Sequence, residues 1–282
     1  MNGKIVLVTG GTSGIGRVTV RELARMGAKV VVVGRDPAKL DAIKRETGAD
    51  AIRADLQLVG EARRAAAEFG GKYARLDVLV NNAGAVFGGR QVTAEGLERT
   101  FALNHMAYFA LTTALLDLLR ASAPARVVSV ASEASRGGRI DFGDLQMERR
   151  YVGVRQYCNT KLMNLLFAFE LSRRLQGSGV TSNAVHPGTV ASGFAMQGAG
   201  LFGVLARIAR PFMIGEEKGA RTQIWAASDP ALGTVTGKYF VRRREKFARR
   251  AALDPVVAGR LWEESERLAT IPSVRQAIPT AS

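Results

Sequence analysis

Ile5-Val6-Leu7-Val8-Thr9-Gly10-Gly11-Thr12-Ser13-Gly14-Ile15-Gly16-Arg17 is the stretch whose reading decides the fold. Its first half is a short, continuous β-branched run, the pattern of a strand covered on both faces. Its second half opens a helical pattern, and Gly10, Gly14 and Gly16 lie between the two. Glycines at this join let backbone N–H groups and a helix N-terminus approach a pyrophosphate. A glycine motif alone is weak, but a strand before it and a helix after it are the context it requires. The same rhythm runs on. Strands are expected at 4–9, 28–33, 49–53, 76–80, 125–131, 179–185 and 235–240, and helices near 14–26, 36–46, 59–72, 94–121, 154–176, 216–228 and 255–269. Gly27, Gly48 and Gly177 read as helix stops. The expected fold is α/β, a Rossmann-type doubly wound, mostly parallel seven-stranded sheet with helices on both faces. It forms a single domain over 1–270, with its ligand crevice beyond the carboxyl ends of the strands.

Composition narrows the function classes. The 282 residues are 47% hydrophobic and 23% charged, an ordinary globular balance. Lys plus Arg is 40 against 25 Asp plus Glu, a formal charge of +15, and the densest run is Arg242-Arg243-Arg244-Glu245-Lys246 with Arg249 and Arg250 behind it. The basic residues are otherwise dispersed, so they read as a solvated face, and neither nucleic acid nor an anionic membrane surface is an expected partner. Cys158 is the sole cysteine, which excludes an internal disulfide and fits the cytoplasm. No apolar run reaches the ~18 residues of a membrane span. With two histidines and one cysteine at no ligand spacing, no metal site is expected. The segment 189–214, apolar and punctuated by glycines, reads as a substrate flap; contact with a membrane surface is not expected of it. Residues 271–282, with Pro272 and Pro279, read as a loosely ordered tail.

Two groups of residues carry chemistry. Tyr157 and Lys161 are four apart in a helical pattern, so a phenol and an ammonium share one face. The end of the second strand carries Gly34 where an acidic residue would bind a ribose 2′-OH, and Arg35 follows it. With Arg17 just inside the first helix, two guanidinium groups there favour a 2′-phosphate, hence NADP(H) over NAD(H). Asp36 either offsets Arg35 or caps the next helix.

The order Thr9-Gly10-x-x-x-Gly14-Ile15-Gly16, Asn81-Asn82-Ala83-Gly84, Tyr157-x-x-x-Lys161 and Pro187-Gly188 resembles the short-chain dehydrogenase/reductase superfamily, over nearly the whole chain. The resemblance implies that Thr12, Ser13 and Ile15 join the glycines at the dinucleotide. It places Asp55 and Leu56 at the adenine, Asn81, Ala83 and Gly84 along the cofactor, and Pro187, Gly188, Thr189 and Val190 at the nicotinamide. Asn82 reads as chiefly structural. Tyr157 is implied as acid/base and Lys161 as the group that tunes it and binds the nicotinamide ribose. Ser132 is implied as the hydroxyl that polarises the substrate carbonyl, with Ser129 and Ser135 as fallbacks. Asn104 is implied as a proton-relay residue, against a local helix contact. In the commonest members the serine precedes the tyrosine by about 13 residues, where this chain has Asp144. Ser132 stands 25 residues upstream (157 − 132) because Arg136 to Arg155 holds an added loop. That loop, with Leu175-Gln176-Gly177-Ser178-Gly179-Val180 and His186-Pro187-Gly188, is similar to the retinol-dehydrogenase-like branch. The expectation is an NADP(H)-dependent oxidoreductase acting on an apolar ketone, aldehyde or alcohol. The alternative is a non-catalytic NADP(H)-sensing or partner-binding protein on the same fold. His105, His186 and Cys158 read as locally satisfied or packed side chains.

Overall fold

The computed structural model of the chain describes residues 1–188 and 215–270. The expected flap, with Thr189 and Val190 at its start, and the expected tail lie outside the described residues. Among the described residues eight strands form one sheet: β1 (Ile5–Thr9), β2 (Lys29–Gly34), β3 (Asp50–Arg53), β4 (Val78–Asn81), β5 (Ala125–Val130), β6 (Val180–His186), β7 (Tyr239–Val241) and β8 (Arg244–Glu245), in the order β3-β2-β1-β4-β5-β6-β7-β8. Every pairing is parallel except β7 with β8. The eighth strand was not among the seven expected. It is two residues long and returns through Arg242 and Arg243, both at positive φ (52° and 59°), the backbone a tight two-residue hairpin requires. β7 begins at Tyr239, four residues later than its expected start; ahead of it Asn183 Nδ2 donates to the Val235 carbonyl at 2.7 Å and the Gly237 N–H to the Ser182 carbonyl at 2.9 Å.

Both faces are covered, as continuous Val/Ile/Leu strands demand. On one face α3 (Val59–Lys72), the broken helix α4–α6, α7 (Gly153–Arg174) and α9 (Pro255–Thr270) close over Leu7, Leu79 and Val127. On the other, α1 (Gly14–Arg25), α2 (Pro37–Thr47) and α8 (Glu216–Ser228) cover Val6, Val8 and Val32. Gly27, Gly48 and Gly177 sit at positive φ after their helices. The expected single helix over 94–121 differs most. Its first residues form a turn, with the Gly96 N–H donating to the Thr93 carbonyl at 3.0 Å, and Glu95 leaves to cap α3 at the Gly60 N–H, 2.9 Å away. The helix then runs as α4 (Arg99–Phe101), a π-helical turn over Ala102–Met106, α5 (Ala107–Ala114) and α6 (Leu116–Ala121). Since β1 is flanked by β2 and β4, the winding reverses between β1 and β4. The crevice at their carboxyl ends is where such folds bind ligands.

Candidate active site

At the switch point the two loops are locked together. Thr9 Oγ1 accepts from the Asn82 N–H (2.9 Å) and the Ala83 N–H (3.0 Å), while Asn82 Nδ2 donates to the Thr9 carbonyl at 2.8 Å. Asn82 is thus spent on structure. A Cβ at Gly10 would stand 2.9 Å from Ala83 Cα, and one at Gly16 would stand 2.3 Å from the Gly10 carbonyl oxygen. Only glycine lets helix α1 start this close to the turn. Ser13, at the N-cap, makes no side-chain capping bond, and the first turn of α1 holds no acidic residue. The positive end of the helix dipole and its N–H groups therefore keep their affinity for an anion. Thr12 lies against the next strand, 3.1 Å from a Cβ placed on Gly34, and the Ile15 carbonyl is used within α1 by Thr19 Oγ1 at 2.7 Å.

Beyond β2, Asp36 caps α2, accepting from the Lys39 N–H at 3.3 Å. Its carboxylate is committed to the helix, and Arg35 is exposed with no carboxylate partner among the described residues. Arg17 is tied to Glu46, Nε to Oε2 2.8 Å. Of the two expected guanidinium groups, Arg35 alone is uncommitted. Asp55 accepts from the Gln57 N–H at 3.1 Å and lies on the rim of a cleft lined also by Leu58, Gln91 and Arg99; Leu56 is buried. Asn81 is fully buried and donates to Thr112 Oγ1 at 2.9 Å. Its side chain serves the contact between β4 and α5. Pro187 and Gly188, the latter at φ 93°, follow β6 at the same edge of the sheet.

Ser132, Tyr157 and Lys161, the groups expected to react, converge at the ends of β4 and β5 with α7 above them. Ser132 ends the extended run after β5 and caps the short helix Glu133–Gly137, accepting from the Ala134 N–H at 3.1 Å. Its hydroxyl is hydrogen-bonded to the Tyr157 phenol. Burial pushes that phenol up to about 12, and the Ser132 hydrogen bond pulls the other way. Lys161 is 3% exposed, its Nζ donates to the Val130 carbonyl at 3.0 Å and lies 5.6 Å from the centre of the Tyr157 ring. Burial lowers its ammonium to about 7. Burial thus dominates both groups and favours the neutral phenol. Gly84 completes the wall: a Cβ there would stand 3.2 Å from Asn104 Oδ1 and 3.6 Å from Lys161 Nζ. Asn104 occupies the π turn, and both ends of its amide are engaged. Nδ2 donates to the Ala85 carbonyl (2.9 Å) and Thr160 Oγ1 (3.0 Å), and Oδ1 accepts from the Ala85 N–H (2.8 Å). Its side chain therefore fastens the loop after Gly84 to α7, three residues from Tyr157.

The remaining candidates stand apart from the chemistry. His105 is buried on Ser265 at 2.8 Å and held neutral, pushed down to about 3 by burial. His186 accepts from the Glu133 N–H at 3.3 Å and burial lowers it to about 4. Cys158 is half-buried, and burial raises its thiol. Ser129 and Ser135 are buried.

Sequence reasoning missed Glu98 and Gln156. Glu98 is fully buried, caps α4 at the Thr100 (2.7 Å) and Phe101 (2.8 Å) N–H groups, and accepts from Gln156 Nε2 at 3.1 Å and the Tyr151 hydroxyl at 3.0 Å. Gln156 also donates to the Leu145 carbonyl at 3.1 Å. One carboxylate thus joins the Asn104 helix, the added loop and the residue preceding Tyr157. The nearest signal was an acidic residue ahead of an apolar helical run.

Known proteins resemble this chain in sequence and in fold. Residues 4–199 match the short chain dehydrogenase family. The chain is 39% identical to human retinol dehydrogenase 12 over 270 residues, covering 93% of this chain and 85% of that protein. It is 38% identical to human retinol dehydrogenase 13 over 290 residues, covering 97% and 87%. Among solved structures, an uncharacterised protein of Mycobacterium paratuberculosis superposes with a TM-score of 0.78 at 34% identity, covering 96% of this chain and 95% of that one. Pseudomonas aeruginosa RhlG, solved as an active-site complex with NADP, superposes with a TM-score of 0.68 at 29% identity, covering 86% and 95%.

Proposed function

The chain belongs to the short-chain dehydrogenase family, in its retinol-dehydrogenase-like branch, and from that premise we propose that it is an NADPH-dependent reductase of apolar aldehydes or ketones. The observation that carries the reading is the convergence of the Ser132 hydroxyl, the Tyr157 phenol and the Lys161 amine at one end of the sheet. The uncapped, carboxylate-free start of α1 and the glycine-walled turn suit the pyrophosphate of a dinucleotide. Arg35, with Asp36 drawn to the α2 cap, suits the 2′-phosphate that distinguishes NADP(H) from NAD(H). Pro187 and Gly188, with Thr189 and Val190 beyond the described residues, are assigned to the nicotinamide end.

When bound, the nicotinamide supplies a hydride to the carbonyl carbon. The protein supplies the rest. Ser132 and Tyr157 hydrogen-bond the carbonyl oxygen, hold it still and stabilise the charge that grows on it. Tyr157 then gives up its proton to that oxygen. A phenol raised to about 12 stays protonated across the ordinary pH range, which suits a proton donor and hence reduction. Lys161, when charged, favours the phenolate left behind, and Asn104 keeps the Gly84–Ala85 loop against α7 while this happens. The apolar residues of 189–214 are assigned to cover the substrate.

Oxidation of NADPH followed with a panel of apolar aldehydes and ketones, and repeated with NADH, tests the reading. Turnover with at least one carbonyl and a preference for NADPH is expected. A panel that stays silent while the protein binds NADPH tightly would favour a nucleotide sensor.

A further inference from the structure

The basic run at the sheet edge is not accounted for by hydride transfer, and the structure adds an apolar component to it. Phe247 is 87% exposed, Val256 77% and Leu253 50%, three large apolar side chains within ten residues of chain. The segment is pinned rather than loose. Val241 and Ala248 pack on the core, and the Lys246 N–H donates to the Tyr239 carbonyl at 2.8 Å. Arg249 donates to the Gly138 carbonyl at 3.1 Å. The backbone therefore holds Phe247 out into solvent, where its ring gives up the stabilisation that burial would bring.

Charge surrounds it. Arg242 and Arg243 form the tip of the β7–β8 hairpin, with Arg244 and Arg250 beside them, and all four are exposed. The carboxylates of this region are already taken: Glu245 by Lys238 at 2.8 Å, Glu133 by Lys246, and Asp254 by the start of α9 at the Val256 N–H, 2.9 Å. None of the four arginines has a carboxylate partner among the described residues. Lys246 binds Glu133, the neighbour of Ser132, so the patch flanks the mouth of the crevice.

We propose that this face, Phe247 with Arg242, Arg243, Arg244 and Arg250, docks on an anionic lipid surface. Arginines alone would serve any polyanion. A phosphate backbone offers an exposed phenylalanine and valine nothing, whereas the boundary between headgroups and acyl chains takes both the rings and the charges. The sequence alone reads the run as a solvated face; the outward Phe247 in its middle changes that reading. Docking here turns the crevice toward the lipid, and it stands on the surface independently of the redox chemistry.

Sedimentation of the intact protein with vesicles tests it, using phosphatidylcholine alone and an equal mixture with phosphatidylglycerol, at low and physiological ionic strength. Binding to the mixed vesicles, weakened by salt and absent with phosphatidylcholine alone, is expected. Each arginine at an anionic surface strengthens partitioning about fivefold, so Arg242→Glu with Arg243→Glu lowers it at least about 25-fold, with oxidation of NADPH by a water-soluble carbonyl unchanged. Phe247→Trp adds a fluorophore whose emission shifts to the blue on mixed vesicles. No sedimentation with mixed vesicles overturns the proposal, as does equal binding to both kinds. Emission from the Phe247→Trp variant that stays unshifted on bound protein also overturns it, as does duplex DNA or an acidic protein binding through Arg242 and Arg243 while vesicles do not.

Discussion

Burial of Lys161 costs the fold directly, because its Nζ has the Val130 carbonyl at 3.0 Å and, among the described residues, no carboxylate within the distance of an ion pair. Val130 keeps a second donor, Asn164 Nδ2 at 3.2 Å, so removing the amine leaves no orphaned carbonyl. Lys161→Met is therefore expected to stabilise the protein at neutral pH, on the order of 2 kcal/mol by urea unfolding, while turnover is lost. The pH dependence has a fixed sign. Folding lowers the ammonium from 10.5 to about 7, so between those values the unfolded chain binds the extra proton and wild-type stability rises with pH. The advantage of Lys161→Met is greatest below about 7 and fades toward 10.5; an advantage that grew with pH would contradict the burial argument. At the other end of the site, Arg35→Ala is expected to weaken NADPH at least about tenfold while NADH changes less than about twofold in equilibrium titrations. Tyr157 and Lys161 were legible because i and i+4 share a helix face. The partners of Arg17 and Asn81 were not, since Glu46 and Thr112 approach from elements whose packing no local pattern encodes.

At the scale of elements, the π turn at Ala102–Met106 and the Glu98 tie are what set Asn104 against α7. The apolar pattern from Phe101 to Leu119 reads as one continuous helix, and a single extra residue in a turn leaves no mark on composition, so the break was invisible in the sequence. The Glu98–Gln156 bond joins α7 to α4 one residue before Tyr157. Gln156→Leu keeps the cap that Glu98 places on α4 and cuts this link together with the bond from Gln156 to the Leu145 carbonyl. It is expected to lower kcat about 10- to 100-fold with nucleotide affinity unchanged, since small displacements of a proton donor cost rate rather than binding. Exchanging the pair, Glu98→Gln with Gln156→Glu, is expected to recover part of the loss. A kcat for Gln156→Leu equal to that of the parent would show that the tie does not position the tyrosine.

At the scale of the whole molecule, the alternation of covered strands and helices made the doubly wound sheet and its crevice readable, because β1, β2, β4, β5 and β6 are buried on both faces and carry that in their residues. Terminal details escaped for the same reason. β8 is two residues at an exposed edge, held by a hairpin of arginines, and has no core to write a pattern. The site depends on long-range agreement between β1, β4, β5 and α7, all meeting where the winding reverses. The claim that this meeting point donates a proton to a bound carbonyl rests on Tyr157 before any other residue. The most direct measurement is single-turnover reduction by Tyr157→Phe, with NADPH dissociation measured alongside on the same preparation. The account predicts a rate at least about a thousandfold below the parent with the dissociation constant within about twofold. A variant that reduces the carbonyl at a rate near that of the parent would contradict it.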